Sequence, residues 1–449
     1  MKQNNTINML EGPLFSKIVL FALPLAATSI LQQLFNAVDT AVVGKFASSQ
    51  AMAAVGSNNS IINLIVALFV GLSVGANVVI ASLIGMRKES EISDAIHTAV
   101  CVALVSGVFL LIVGQLAAAP ILRLMNTPED VIDLASLYLR IYFLGMPFIM
   151  FYNFGSAILR SKGDSKRPLY ALMAGGVINV FLNLLLVIVF HLHVIGVSTA
   201  TVTSNAISAG IVFRVLLREE GVFRLELSRL RFHRSHLARI MRIGVPSGLQ
   251  GIVFSLSNTV IQTGVNGFGS SASAGSAAAL NFEIIAYYFV NAFGQAAVTF
   301  TSQNFAAEQF ERCKKVFRIC LLSAVVSTGA FDVMVYLARV PLLSIFTSDP
   351  EVYKFAVARI TTILLFQWMV NSFEISGSAL RGMGYSLTPT VFMIFGTCVF
   401  RIFWVFTIFP RTGTFRMLLT VYPASWILTG IIVLAAYFVI RRRRFAVRA

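Results

Sequence analysis

Twelve runs of about twenty or more mostly apolar residues take up most of this chain, near 15–40, 51–82, 94–117, 131–158, 168–189, 194–217, 238–266, 276–302, 314–337, 353–379, 389–409 and 418–440. About 20 such residues, rising ~1.5 Å each, cross a hydrocarbon core ~30 Å thick as a helix. Barrel strands are only about 10 residues long and alternate in polarity, which these runs do not. Composition agrees, because charged residues make up only 12% of the chain and hydrophobic ones 57%. A soluble domain carries about 25% charged residues, so this chain needs lipid to cover its apolar surface. The first run, from about Leu14, has no small-residue cleavage site behind it and reads as a retained span. The expectation is an all-α polytopic protein of twelve transmembrane helices in a lipid bilayer.

The net charge of +16 first raises nucleic acid as a partner. Its distribution argues against one: the basic residues sit in short loops between apolar runs. Of the 35 Lys and Arg, 25 fall on the side of the N-terminus and six on the other, the latter being Lys45, Arg123, Arg339, Lys354, Arg411 and Arg416. By the positive-inside rule both termini are expected in the cytoplasm, which requires an even number of spans. The basic stretch from Arg218 to Arg242 reads as a topology signal beside anionic headgroups. Cys101, Cys313, Cys320 and Cys398 are too few and too scattered for a disulfide framework or a metal site, so no metal is expected.

The chain repeats itself. Leu159, Arg160, Gly163, Ser165 and Pro168 recur as Leu380, Arg381, Gly384, Ser386 and Pro389 at a shift of 221, and Gly175 recurs as Gly396. Pro24 with Pro246 and Phe46 with Phe268 pair at 222. In each copied turn the glycine permits a tight reversal, the proline suits a first helical turn, and the arginine favours a helix end near the headgroups. The expected domains are a six-helix lobe over 1–217, a basic cytoplasmic linker over 218–237, a second six-helix lobe over 238–440 and a basic tail over 441–449. Six spans per lobe means both enter the membrane in the same sense, related by a pseudo-two-fold axis along the membrane normal. Two such lobes describe alternating access.

The segment Leu34-Phe35-Asn36-Ala37-Val38-Asp39-Thr40-Ala41-Val42-Val43-Gly44 and the duplicated Leu-Arg-x-x-Gly-x-Ser-x-x-Pro turn resemble the multidrug and toxic compound extrusion (MATE) transporters, in their bacterial proton- or sodium-coupled branch, over nearly the full length. The resemblance implies export of organic cations and other amphipathic compounds against protons or sodium ions, from the bacterial inner membrane. It implies no cofactor, and the transporter is expected to work as a monomer.

An acid inside a span is costly and marks function by default. Asp39 is the first such acid, and Gln32, Asn36 and Asp39 follow at helical spacings of four and three on one face. At ~1.5 Å per residue, Asn183 in span 5 and Thr201 in span 6 reach the same outer-half layer, with Asp39 at or slightly above it. A polar cluster of Asp39, Asn179, Asn183 and Thr201 is therefore expected, with Asn36 beside it. In the family, the resemblance implies, these positions coordinate the coupling ion. The second span-5 position is often an aspartate there; here it is Asn183, which weakens the case for sodium.

In the second half Glu283, Asp332 and Glu374 are the intramembrane acids, and Arg401 requires a partner, expected to be Glu374. Gln32, Met150, Phe154, Glu283, Tyr287, Glu374 and Arg401 are the candidate cavity residues, with Phe151, Phe282, Tyr288 and Phe289 as further aromatic candidates. Aromatic faces hold organic cations, and methionine adapts to varied shapes. The alternative function is a flippase for lipids or lipid-linked oligosaccharides; against it, few cations lie in mid-span beyond Arg140, Arg359 and Arg401. Neither a helix-borne metal motif nor a phosphate-binding loop is present, so an enzyme is not expected.

Overall fold

Apolar runs in lipid must satisfy every backbone group internally, which leaves helices as the solution for this sequence. The computed structural model describes residues 6–46, 49–124, 127 and 129–447, and all of its regular structure is helical. The first half contains α1 (Leu14–Phe46), α2 (Ser49–Gly85), α3 (Glu89–Leu124), α4 (Glu129–Leu144), α5 (Met146–Ser161), α6 (Lys166–Asn183) and α7 (His193–Leu217). The second contains α8 (Arg234–Asn266), α9 (Ser270–Ala306), α10 (Phe310–Leu337), α11 (Arg339–Ser344), α12 (Pro350–Thr362) and α13 (Val370–Gly382). It closes with α14 (Leu387–Met393), α15 (Phe400–Phe403), α16 (Phe409–Thr412) and α17 (Phe415–Val447).

Read with their breaks, these helices make twelve passes that coincide with the twelve apolar runs. The fourth pass bends by 47° between α4 and α5, at Gly145 and Pro147. The tenth is interrupted by a 3-10 stretch, Leu364–Met369, and the eleventh contains π-helical turns at Ile394–Val399 and Trp404–Ile408. Among the described residues, nine helices are long and apolar enough to cross a membrane, or ten with the bent pair. The passes that fall short are α8 and the broken α12–α13. Their polar residues turn out to line a cavity, which explains how lipid-embedded segments tolerate them.

Two compact units form. The first comprises Met1–Asn8 and Leu23–Gly248, the second Met9–Ala22 and Leu249–Ala449. The divide therefore runs within α1 and α8, near Pro24 and Pro246, rather than at the expected 217 and 238. The segment after α7 is folded onto the first unit: Leu225 is buried, the Glu226 amide donates to His97 Nε2 at 3.1 Å and the His233 amide to Thr98 Oγ1 at 3.2 Å. These contacts satisfy backbone groups that a free tether would leave to water. Of the basic residues used for topology, Lys2 and Arg448 lie outside the described residues.

The duplication extends to packing. A Cβ on Gly175 would lie 2.1 Å from Ser208 Oγ, and one on Gly396 would lie 2.6 Å from Thr429 Oγ1. Both members of each contact are related by the same shift of 221, so each unit presses its fifth pass against its sixth at an equivalent glycine. Within the first unit, Gly71 and Gly75 of α2 meet Gly244 and Gly248 of α8, with a Cβ on Gly71 falling 2.2 Å from the Gly248 nitrogen. Small residues four apart let helix backbones approach closely where lipid supplies no hydrophobic drive.

The copied turns differ in their anchoring. Gly163 (φ +98°) and Gly384 (φ +88°) are both left-handed, as the turn requires. Around Gly163, however, Asp164 Oδ1 caps α6 by accepting from the Lys166 and Arg167 amides at 3.1 Å each, and Glu219 binds Lys162 at 2.6 Å and Arg167 at 2.5 Å. At Asp164's place the second turn has Tyr385, which brings no carboxylate. Arg160 and Arg381 also depart from the expected headgroup position. Arg381 is buried and donates to Gln250 Oε1 at 2.7 Å, and the Nε of Arg160 is buried without a hydrogen-bond partner.

Candidate functional site

The first polar centre lies inside the first unit, where α1, α6 and α7 meet. Gly175 and Gly176 make α6 thin on two sides. A Cβ on Gly176 would sit 1.8 Å from the Phe35 ring of α1, so only glycine lets α1 lie close enough to bring Asp39 to α6. Asn183 ends the regular part of α6, immediately before a π-helical segment, Leu184–Val189. Such bulges recur at functional sites because they re-aim neighbouring side chains.

Asp39, Asn179 and Asn183 are buried and Thr201 is half-buried. Asn183 Nδ2 donates to Asp39 Oδ1 and lies 3.2 Å from Asn179 Oδ1. Thr201 Oγ1 donates to Asp39 Oδ2 at 3.1 Å. The structure thus brings Asp39, Asn179, Asn183 and Thr201 into one hydrogen-bonded group. Asn36 and Gln32 are exposed and stand outside this hydrogen-bonded group. Helical spacing placed all three on one face of α1, but only Asp39 reaches inward. Among the described residues, no arginine, lysine or histidine is bonded to Asp39, and its bonded partners are the neutral donors of Asn183 and Thr201.

The second centre is a cavity of about 590 Å³ inside the second unit. Glu283, Tyr287, Glu374 and Arg401 line it, together with Arg359, Asn258, Gln367, Tyr422 and Trp426. Glu283 and Arg359 form a two-pronged pair, Nε to Oε1 at 2.7 Å and Nη2 to Oε2 at 2.9 Å, and Gln367 Nε2 donates to the Glu283 carbonyl at 2.7 Å.

The structure corrects several expectations here. Arg401 is not paired with Glu374. Its Nε donates to Ser425 Oγ at 3.1 Å and its Nη1 to Asn258 Oδ1 at 3.0 Å, while Glu374 interacts with Tyr287 and Arg381. Met150 and Phe154 line no such cavity; both are fully buried in the first unit, Met150 inside an aliphatic and aromatic core. Phe151 packs edge-on to Phe213 at 5.5 Å, and Phe282 belongs to the core beside Phe346. Tyr288 and Phe289 are not among the lining residues, so Tyr287 is the aromatic candidate that reaches the cavity. Asp332 is buried on α10 and does not line it.

Sequence reading missed Arg359 as the Glu283 partner, and Asn258 and Tyr422 as the Arg401 partners. The signal was present in part: α8 is too polar for lipid around Ser255, Asn258, Thr259 and Gln262. Among the described residues, no group of three or more His, Cys, Asp or Glu could hold a metal ion, and the four cysteines are free thiols.

Twelve passes in two duplicated lobes, each with an intramembrane polar centre, are the architecture of a membrane transporter. The MatE family profile matches residues 24–185 and again 246–407, the second match lying 222 residues after the first at both ends. The chain belongs to the MatE family of multidrug efflux transporters. It is 30% identical to the probable multidrug resistance protein YoeA of Bacillus subtilis over 84% of this chain and 83% of that one. To the probable multidrug resistance protein NorM of Thermotoga maritima it is 27% identical, over 84% and 81%. A FAD transporter of Shewanella oneidensis is 24% identical over 71% of each chain. Among solved structures, an outward-facing multidrug resistance MATE transporter superposes with a TM-score of 0.89 at 21% identity, covering 100% of this chain and 99% of the other.

Proposed function

We propose that this transporter exports amphipathic small molecules in exchange for protons, and that Asp39 carries the proton. The observation that carries this reading is the neutral surroundings of Asp39. A carboxylate in a membrane interior needs a counter-charge or a proton, and none of its bonded partners, Asn183 and Thr201, is charged. Asn183 Oδ1 is buried with no hydrogen-bond partner. It offers an acceptor for the O–H that Asp39 gains on protonation, so a turn of one amide serves both charge states. Asp39 is the single carboxylate of the cluster, with the neutral Asn183 facing it, and this low negative charge favours a proton over sodium.

With both termini cytoplasmic, protons enter Asp39 from outside and leave to the cytoplasm. Protonation removes the charge that holds the Asn183 and Thr201 donors to α1, and the loosened α1 favours release of cargo. Asn179 supports Asn183, and Asn36 lies one turn from Asp39 on the exposed side of α1. Cargo with a cationic end meets Glu374 and the Tyr287 ring in the second cavity, whose volume suits a drug-sized molecule. The relative named for FAD transport widens the cargo to consider beyond organic cations.

The test is dye efflux in inverted vesicles with proton and sodium gradients imposed separately. Efflux driven by the proton gradient, and lost in Asp39→Asn at normal membrane abundance, is the expected result. Efflux driven only by sodium, or full transport by Asp39→Asn, overturns the proposal.

A further inference from the structure

Two carboxylates, Glu283 and Glu374, and two guanidiniums, Arg359 and Arg401, line the second cavity, and the pair joined by hydrogen bonds is Glu283 with Arg359. Glu283 uses both of its oxygens on Arg359. Among the described residues, no carboxylate is bonded to Arg401. It is 5% exposed, and its bonded partners are Ser425 Oγ and Asn258 Oδ1, both neutral. Its guanidinium carbon lies 4.4 Å from the centroid of the Tyr422 ring, and Arg359 approaches the same ring at 5.8 Å. Among the described residues, nothing bonds its second terminal nitrogen, Nη2.

A buried guanidinium without a counter-charge is expensive in a membrane interior. Two neutral acceptors orient Arg401 but do not neutralise it, and the side chain lines the cavity. The planar fork matches a carboxylate better than any other side chain does. Tyr422 and Trp426, edge-on at 5.9 Å between centroids, supply an aromatic wall beside it.

We propose that Arg401 is an anion subsite of this cavity, and that the cargo includes aromatic amphipaths bearing a carboxylate. The proposal rests on the reading of the chain as an exporter that uses the second cavity. Asn258 and Ser425 hold the guanidinium in place, Tyr422 stacks on it, and the carboxylate of the cargo provides the directly bonded anion that Arg401 lacks. A compound that also bears a cation meets Glu374 in the same cavity.

The experiment measures binding to the purified full-length protein by calorimetry, with 2-naphthoate as probe and its methyl ester as the uncharged control. Wild type is expected to bind the acid at least about tenfold more tightly than the ester. Arg401→Met removes that preference. Asn258→Asp keeps the arginine and the shape of the site but places a carboxylate on Nη1, and it removes the preference as well. Absence of any preference in wild type, or its survival in both variants, overturns the anion subsite. The same proteins in inverted vesicles are challenged with ethidium, a permanent cation. If wild type pumps ethidium yet shows no preference for the acid, the subsite falls and the exporter stands. If it shows the preference but pumps neither compound under any gradient, the exporter reading falls, and the proposal that these compounds are cargo falls with it.

Discussion

Asp39 and Glu283 are both carboxylates buried inside a lobe, yet their partners are opposite in kind. Asp39 accepts from an amide and a hydroxyl. Glu283 is clamped by the Arg359 guanidinium at 2.7 and 2.9 Å. A carboxylate paired to arginine is neutralised permanently, because arginine does not give up its proton at working pH. A carboxylate among neutral groups is neutralised by a proton, which comes and goes. On the proposed reading, the charge at Asp39 is changeable and the charge at Glu283 is fixed, although the two lobes descend from one repeated unit.

The sharpest way to break this comparison is at Asp39 itself. Asp39→Asn is expected to reduce gradient-driven efflux to the level of empty vesicles while membrane abundance stays normal; substantial pumping would remove the asymmetry. Next in size is Arg359. Arg359→Met leaves Glu283 charged and buried, a loss of about 3–5 kcal/mol, seen as a large fall in melting temperature of the purified protein. The double variant Arg359→Met with Glu283→Met should recover most of that fall, because replacing a whole buried pair by apolar groups is often near neutral. If the double variant melts as low as the single, the pair is more than a lock.

A smaller effect tests the ion. Asn183→Asp gives the first centre a second carboxylate and is expected to make efflux respond to an imposed sodium gradient, at the expense of the proton response. An unchanged ion dependence would show that Asn183 does not set the choice. The smallest effect compares the copied turns. Gly163→Ala meets both a positive φ and the Ile7 carbonyl, which a Cβ would approach to 2.3 Å, whereas Gly384→Ala meets only the positive φ. The second should cost about 1 kcal/mol, and the first clearly more, as read from paired thermal melts. Equal shifts would mean that the contact to Ile7 contributes nothing.

Much of the molecule was legible before any coordinates. Long apolar runs have one solution in lipid, so twelve helical passes followed from length and hydropathy. The duplication followed from identities at constant spacing, and the Gly175–Ser208 and Gly396–Thr429 contacts show it in packing. The Asp39, Asn179, Asn183 and Thr201 cluster followed from depth along helices of known rise, because position along the membrane normal is a one-dimensional property. Facing is not. Which way Arg401 turns, whether Gln32 and Asn36 share Asp39's environment, and whether Met150 meets a cavity or a core all depend on helix rotation and on neighbours distant in sequence.

The sequence by itself therefore determined what each segment is and how deep each polar group lies, since hydropathy and helical rise are local. Tertiary structure alone decided the partners. Arg359, 76 residues from Glu283, packs against it, while Arg401 is bonded to Asn258 and Ser425. Charge pairing in a low-dielectric interior is settled by packing geometry over a few ångströms, and no spacing along the chain encodes that distance.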